Sequence, residues 1–186
     1  MDYNKLKKQV PESLKETVTF QTAGVKPLGK LAIGFGLAEK VGEEAEKFGQ
    51  GKVLLVTDKT LVKLGVCQVI SDSLEQTGFL VDIFDDVSPE PHIETAQQVQ
   101  ALVRNAKYSA VVGLGGGSPM DMAKVASMTA TNPKDILDYL QGSAFEVEGL
   151  PCILLPTTSG TGSEVSPFIV TSTADKKMFI ASPYLY

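Results

Sequence analysis

The stretch AVVGLGGGSPMDMAK, residues 110–124, decides the fold. Ala110 to Leu114 form a continuous apolar run, the mark of a strand buried on both faces of a parallel sheet. Gly115, Gly116 and Gly117 follow, and Pro119 to Thr129 reads as a helix. A buried strand that passes through glycines into a helix collects backbone amides and the positive end of a helix dipole at one point, which makes an anion site. Ser118, Pro119 and Asp121 also suit the N-cap, N1 and N3 positions of that helix, as in a capping box. Capping leaves three consecutive glycines unexplained, whereas a phosphate approaching the backbone would need them.

The segments on either side repeat the pattern. Upstream, Lys52 to Thr57 (KVLLVT) is a second buried strand, followed by Asp58, a helical stretch to Gly65 and another from Val66 to Thr77. Phe79 to Phe84 is the next strand, and after the turn from Ser88 to Pro91 a helix spans about Ile93 to Ala106. Downstream, a short helix covers Ile136 to Tyr139 and Cys152 to Leu155 is a fourth apolar strand, with two last strand candidates at Ser166 to Ser172 and Met178 to Ala181. Near the start, Leu37 to Phe48 reads as a helix with Leu37, Val41, Ala45 and Phe48 on its apolar stripe. Before it, Val18 to Gln21 and Leu31 to Phe35 read as an antiparallel pair at an edge, joined through Gly24, Pro27 and Gly29. Strand and helix alternating in this way predict an α/β fold with an open, doubly wound, mostly parallel sheet, Rossmann-like, carrying an N-terminal edge hairpin. Residues 1–186 are expected to form one domain, since no repeat, low-complexity tract or linker divides them.

Composition narrows the function classes. The 17 basic and 22 acidic residues give a net charge of −5, without the basic footprint that nucleic-acid binding requires. A single histidine, His92, cannot build a histidine-rich metal site, and Cys67 and Cys152 lack the short pairing of zinc motifs. No apolar run approaches a membrane span, and the charged start MDYNKLKKQV is unlike an export signal, so a cytoplasmic protein with reduced cysteines is expected.

Three strand ends carry groups capable of chemistry, and in open α/β sheets ligands sit beyond those ends. Asp58 can cap the helix beginning at Lys59, or accept hydrogen bonds from the ribose hydroxyls of an adenosine and repel a 2′-phosphate, which favours NAD over NADP. The loop from Gly115 to Asp121 is the phosphate cradle. In the segment Thr157 to Ser163, Thr157, Thr158 and Thr161 can donate to phosphate or ribose oxygens while Gly160 and Gly162 let the backbone close in. The loop does not fit the GxGxxG fingerprint, because Ser118 or Met120 falls where the last glycine belongs, and no Gly-Lys-Ser/Thr follows as in a Walker loop.

GGGSPMDMAK (115–124), PTTSGTGSEVSPF (156–168) and KKMFIASPYLY (176–186) resemble the signatures of the iron-containing, group III alcohol dehydrogenases. The resemblance implies the N-terminal dinucleotide-binding domain of a two-domain oxidoreductase that moves hydride between a nicotinamide and an alcohol or aldehyde. It places Asp58 on the adenosine ribose, Gly116, Gly117 and Ser118 on the pyrophosphate and Asp121 close behind. Thr157, Thr158 and Thr161 would flank the phosphates and nicotinamide side, Phe168 and Lys177 the nicotinamide ribose, and Glu90 the adenine. The family's Fe2+ or Zn2+ is held by an aspartate and three histidines of a C-terminal helical domain, expected to be absent from this chain. Catalytic residues are therefore not assigned. Beyond NAD and a small alcohol or aldehyde, the partner expected is a second copy of the chain, because an uncovered interdomain face favours self-association. The alternative function is a truncated, non-catalytic scaffold that self-associates.

Overall fold

The computed structural model describes residues 11, 18–20, 29–173 and 175–185. A short hairpin of β1 (Val18–Phe20) and β2 (Leu31–Ile33) leads to helix α1 (Val41–Ala45). Then come β3 (Lys52–Val56), helices α2 (Lys59–Lys63) and α3 (Val66–Gln76), β4 (Leu80–Phe84), α4 (Ile93–Asn105) and β5 (Ala110–Gly115). Helices α5 (Gly117–Thr131) and α6 (Ile136–Leu140), β6 (Cys152–Pro156), and a ribbon of β7 (Phe168–Ser172) and β8 (Lys177–Ala181) complete the order.

Strands β3 to β6 form one parallel sheet in the order β4-β3-β5-β6. Alternation along β3 serves two separate layers, because successive side chains leave opposite faces. Leu54 and Val56, with Val111 of β5, pack under α4 and α5, whereas Val53 and Leu55, with Ala110, Val112 and Leu114, pack under α1 and α3. Both faces are thus covered, as the continuous apolar runs require. Helix α5 is buried along its whole middle, Pro119 to Thr129, and its side chains there are mostly apolar, with Asp121 and Lys124 the charged exceptions.

Two features expected near the N-terminus take a different form in the structure. The β1–β2 hairpin is a sheet of its own and not an edge of the parallel sheet; Gly24 and Pro27 of its expected turn lie outside the described residues. The helix expected over Leu37 to Phe48 is three pieces, with 3-10 turns at Leu37–Lys40 and Glu46–Phe48 around α1. Its central Gly42 sits so close to α3 that a Cβ there would lie 2.2 Å from the Ser73 carbonyl oxygen, and Phe48 is half exposed instead of joining the buried stripe. At the other end of the chain, the last two strands form an antiparallel ribbon of their own beside α5, and Ser172 makes an isolated bridge with His92.

Both cysteines are free, and burial raises both thiols, Cys152 to about 12. No helix among the described residues is long and apolar enough to cross a membrane.

Candidate functional site

Successive parallel strands are added first on one side of β3 and then on the other, so the sheet changes direction between β3 and β5. The crevice beyond that point is where open α/β sheets bind ligands. Asp58 follows β3, Gly115 to Gly117 link β5 to α5, and Thr157 to Thr161 follow β6. The three segments singled out in the sequence therefore meet at one end of one sheet.

Asp58 is the N-cap of α2, its Oδ1 accepting the amides of Thr60 and Leu61 at 2.8 and 3.0 Å. The expected capping box at Ser118, Pro119 and Asp121 is absent. The N-cap of α5 is Gly116, in extended backbone, with no side-chain cap bond, so Ser118 and Asp121 lie inside the helix. Starting the helix earlier leaves the amides of Gly117 and Ser118 without a side-chain acceptor, an arrangement suited to an anion.

The glycines divide into two pairs. A Cβ on Gly113 would lie 2.7 Å from that of Ala123, and one on Gly115 would lie 2.5 Å from Pro119 Cγ, with φ +152 at Gly115; these two let α5 pack onto β5. A Cβ on Gly116 would instead lie 3.2 Å from Thr158 Oγ1, and one on Gly117 3.5 Å from Thr161 Cβ. The threonine loop therefore lies against the first turn of α5, and the Thr157 amide ties it to the Gly115 carbonyl at 2.8 Å.

Beside that turn opens a cleft of about 700 Å³ between α5, the segment at Glu90 and Pro91, and the β7–β8 ribbon. Glu90, Gly117, Ser118, Asp121, Thr161, Phe168 and Lys177 line it, while Asp58, Gly116, Thr157 and Thr158 do not. At the rim the Lys177 Nζ lies 2.7 Å from Glu90 Oε1 and holds that carboxyl below its ordinary value. Glu90 has φ +55, and no other described residue besides glycines has positive φ.

Asp121 is buried, and both its oxygens are engaged: Oδ1 by the Ser163 hydroxyl, Oδ2 by the Val170 amide at 3.0 Å. Sequence reasoning missed Lys124, only 3% exposed, whose Nζ donates to the carbonyls of Ser166 and Phe168, each at 2.9 Å. The two charges stand 3.7 Å apart. Burial pushes the Asp121 carboxyl up and the Lys124 ammonium down, each opposed by the other's charge. The available signal was a lysine three residues after an aspartate in an otherwise apolar helix.

His92 is exposed at the N-cap position of α4 and makes no side-chain cap bond. Among the described residues no three His, Cys, Asp or Glu side chains gather in a way that could hold a metal ion.

The family model for iron-containing alcohol dehydrogenases matches residues 29–186. The chain belongs to that family. A long-chain-alcohol dehydrogenase of Geobacillus thermodenitrificans is 38% identical over 156 residues, covering 82% of this chain and 40% of the relative. A mitochondrial hydroxyacid-oxoacid transhydrogenase of Mus musculus is 34% identical over 75% of this chain and 31% of its own length. Among solved structures, an NADH-dependent butanol dehydrogenase of Thermotoga maritima superposes with a TM-score of 0.76 at 30% identity, over 82% of this chain and 39% of that one. The sulfoacetaldehyde reductase of Bifidobacterium kashiwanohense, solved in complex with NAD+, gives 0.75 at 34% identity over 82% and 41%. The chain thus spans about 40% of the length of the first of these relatives.

Proposed function

We propose that residues 1–186 are the NAD-binding domain of an iron-type alcohol dehydrogenase, which in the complete enzyme moves hydride between nicotinamide and an alcohol or aldehyde. The observation that carries this reading is the uncapped first turn of α5 at the sheet's switch point, where Gly116 and Gly117 keep Cβ atoms away from two free amides. That cradle fits a pyrophosphate.

The nicotinamide ring supplies the hydride acceptor or donor. This chain's residues bind and orient it. Gly117 and Ser118 donate amides to the pyrophosphate, and Thr157, Thr158 and Thr161 flank it from the facing loop. Asp58 gives one carboxylate oxygen to its helix cap, and its other oxygen receives the adenosine ribose hydroxyls, favouring NAD over NADP. Phe168 and Lys177 form the wall for the nicotinamide ribose. Glu90, which the resemblance places near adenine, pairs here with Lys177 and is assigned to holding it. Among the described residues no cluster of His, Cys, Asp or Glu fits the family's Fe2+ or Zn2+.

Titrating the 186-residue chain with NADH while following nicotinamide fluorescence tests the reading. A saturable change is expected, and no binding up to millimolar concentration overturns it. A self-associating scaffold is the second reading, favoured by the exposed Phe168, Val170 and Phe179 on one ribbon. Under the cofactor reading NADH raises the melting temperature by mass action. The scaffold reading predicts no change and a concentration-dependent oligomer.

A further inference from the structure

One wall of the cleft is a two-stranded ribbon that, among the described residues, no other strand pairs with. β7 pairs with β8 along one edge, and its other edge would leave backbone groups exposed. Those groups find partners elsewhere. The Phe168 carbonyl accepts from Lys124 Nζ, and the Val170 amide donates to Asp121 Oδ2. The Ser172 amide donates to the Pro91 carbonyl at 2.9 Å. Two side chains from one helix thus do for β7 what a neighbouring strand does in a sheet, meeting alternate residues on its free edge.

The pair also reaches the turn before β7, through the Ser163 hydroxyl on Asp121 and the Ser166 carbonyl on Lys124. Both side chains are almost fully buried, so neither reorients freely in solvent. Asp121 and Lys124 stand one helical turn apart on α5, the helix whose first residues form the anion cradle. This pair therefore ties the ribbon to the helix that carries the cradle.

The geometry points to Lys124, acting with Asp121, as a positioning residue that fixes the Phe168 wall at the distance from the α5 N-terminus that the nicotinamide half of the dinucleotide needs. This rests on the cofactor reading above. It goes further in dividing the site: Asp58 and the cradle serve the adenosine and pyrophosphate half, whereas the clasp serves only the other half. Lys124 touches no cofactor atom; it acts through the backbone of Ser166 and Phe168.

The test compares binding of NADH and of ADP, which lacks the nicotinamide half, to the wild-type chain and to Lys124→Met. Lys124→Met should weaken NADH binding by about tenfold, the scale of one or two lost positioning contacts, and leave ADP binding within about twofold. A smaller change in NADH fluorescence on binding should accompany it. Because Lys124→Met leaves the Asp121 carboxylate buried without its counter-charge, Asp121→Asn/Lys124→Met is made alongside and should show the same selective loss. Unchanged NADH affinity in a folded variant overturns the proposal, and so does a parallel loss of NADH and ADP, which would mark a purely structural role. If the wild-type chain binds neither ligand, the cofactor reading itself fails.

Discussion

Glu90 and Lys177 meet at the rim of the cleft, Oε1 to Nζ at 2.7 Å, although 87 positions separate them in the chain. Both side chains are mostly exposed, so their pairing adds little to stability. Its value lies in where it holds the ammonium. Lys177→Ala should leave the urea unfolding midpoint unchanged and weaken NADH binding several-fold, read by fluorescence titration. Lys177 holds the Glu90 carboxyl below its ordinary value, so Glu90 keeps its charge to a lower pH than a free glutamate. Wild-type NADH affinity should therefore be flat from neutral pH down to about pH 5 as far as this pair is concerned.

The two pairs of glycines should separate stability from binding. Gly113→Ala forces a Cβ to 2.7 Å from Ala123 and 2.9 Å from Leu154, and should cost about 1–3 kcal/mol of overpacking, measured by chemical denaturation. Gly117→Ala meets Thr161 only at ordinary contact distance, 3.5 Å, at the first position of a helix, where alanine is tolerated. That variant should unfold like wild type and yet lose affinity for NADH, because the new methyl occupies the face offered to the phosphates.

A pH prediction attaches to Asp82 on the edge strand β4. Its carboxylate accepts the Tyr108 hydroxyl at 2.6 Å and lies 2.6 Å from Lys52 Nζ, and these bonds, Lys52 first, hold it below its ordinary value. Burial, and then the bond to Asp82, raise the Tyr108 hydroxyl. A carboxyl lowered in the folded state contributes above its unfolded value near pH 4 and loses the contribution as pH falls through the lower folded value. A phenol raised in the folded state contributes below about pH 10 and loses it as pH climbs further. The stability gap between wild type and Asp82→Asn should be level between about pH 5 and 9 and close at both ends. Since the Asp82 side chain is 37% exposed, the level gap should be no more than about 1 kcal/mol.

Asn132, just past α5, is fully enclosed and serves two segments at once. Its Oδ1 accepts the amides of Glu146 and Val147, and its Nδ2 donates to the carbonyls of Met128 and Val147. Asn132→Ala leaves those backbone groups, Met128's buried and the others part-buried, without their side-chain partner and should cost about 1–3 kcal/mol, read from urea unfolding. NADH affinity should be unaffected in the folded fraction, because these contacts lie at the end of α5 remote from its first turn.

The parallel sheet was legible because runs such as KVLLVT and AVVGLG carry their own burial pattern, and their order needs only the rule that helices cover both faces. Asp58 and the glycine loop were legible because strand ends mark themselves. The start of α5 was not: Ser118 and Pro119 look like a cap, and only the extended backbone at Gly116 shows that the helix begins before them. Lys124 was hidden for a different reason. Its partners are main-chain carbonyls of Ser166 and Phe168, and a carbonyl has no letter in a sequence. Likewise the pairing of Glu90 with Lys177 depends on how the ribbon is laid down, a long-range property that local periodicity does not encode.

The free edge of β7, satisfied by an aspartate, a lysine and one carbonyl from the Pro91 turn, leaves the ribbon outside the register of the parallel sheet, held by those bonds and by the core packing of Ile169 and Ile180. A strand embedded in a sheet cannot be shifted without breaking the register of its neighbours, so a site built on it changes only by exchanging side chains. A strand held outside the sheet by helix side chains and by one core side chain, Ile169, is free of that register constraint. The seat of Phe168 and Val170 can thus vary with residues 121, 124 and 169 while β3 to β6 keep their hydrogen bonds.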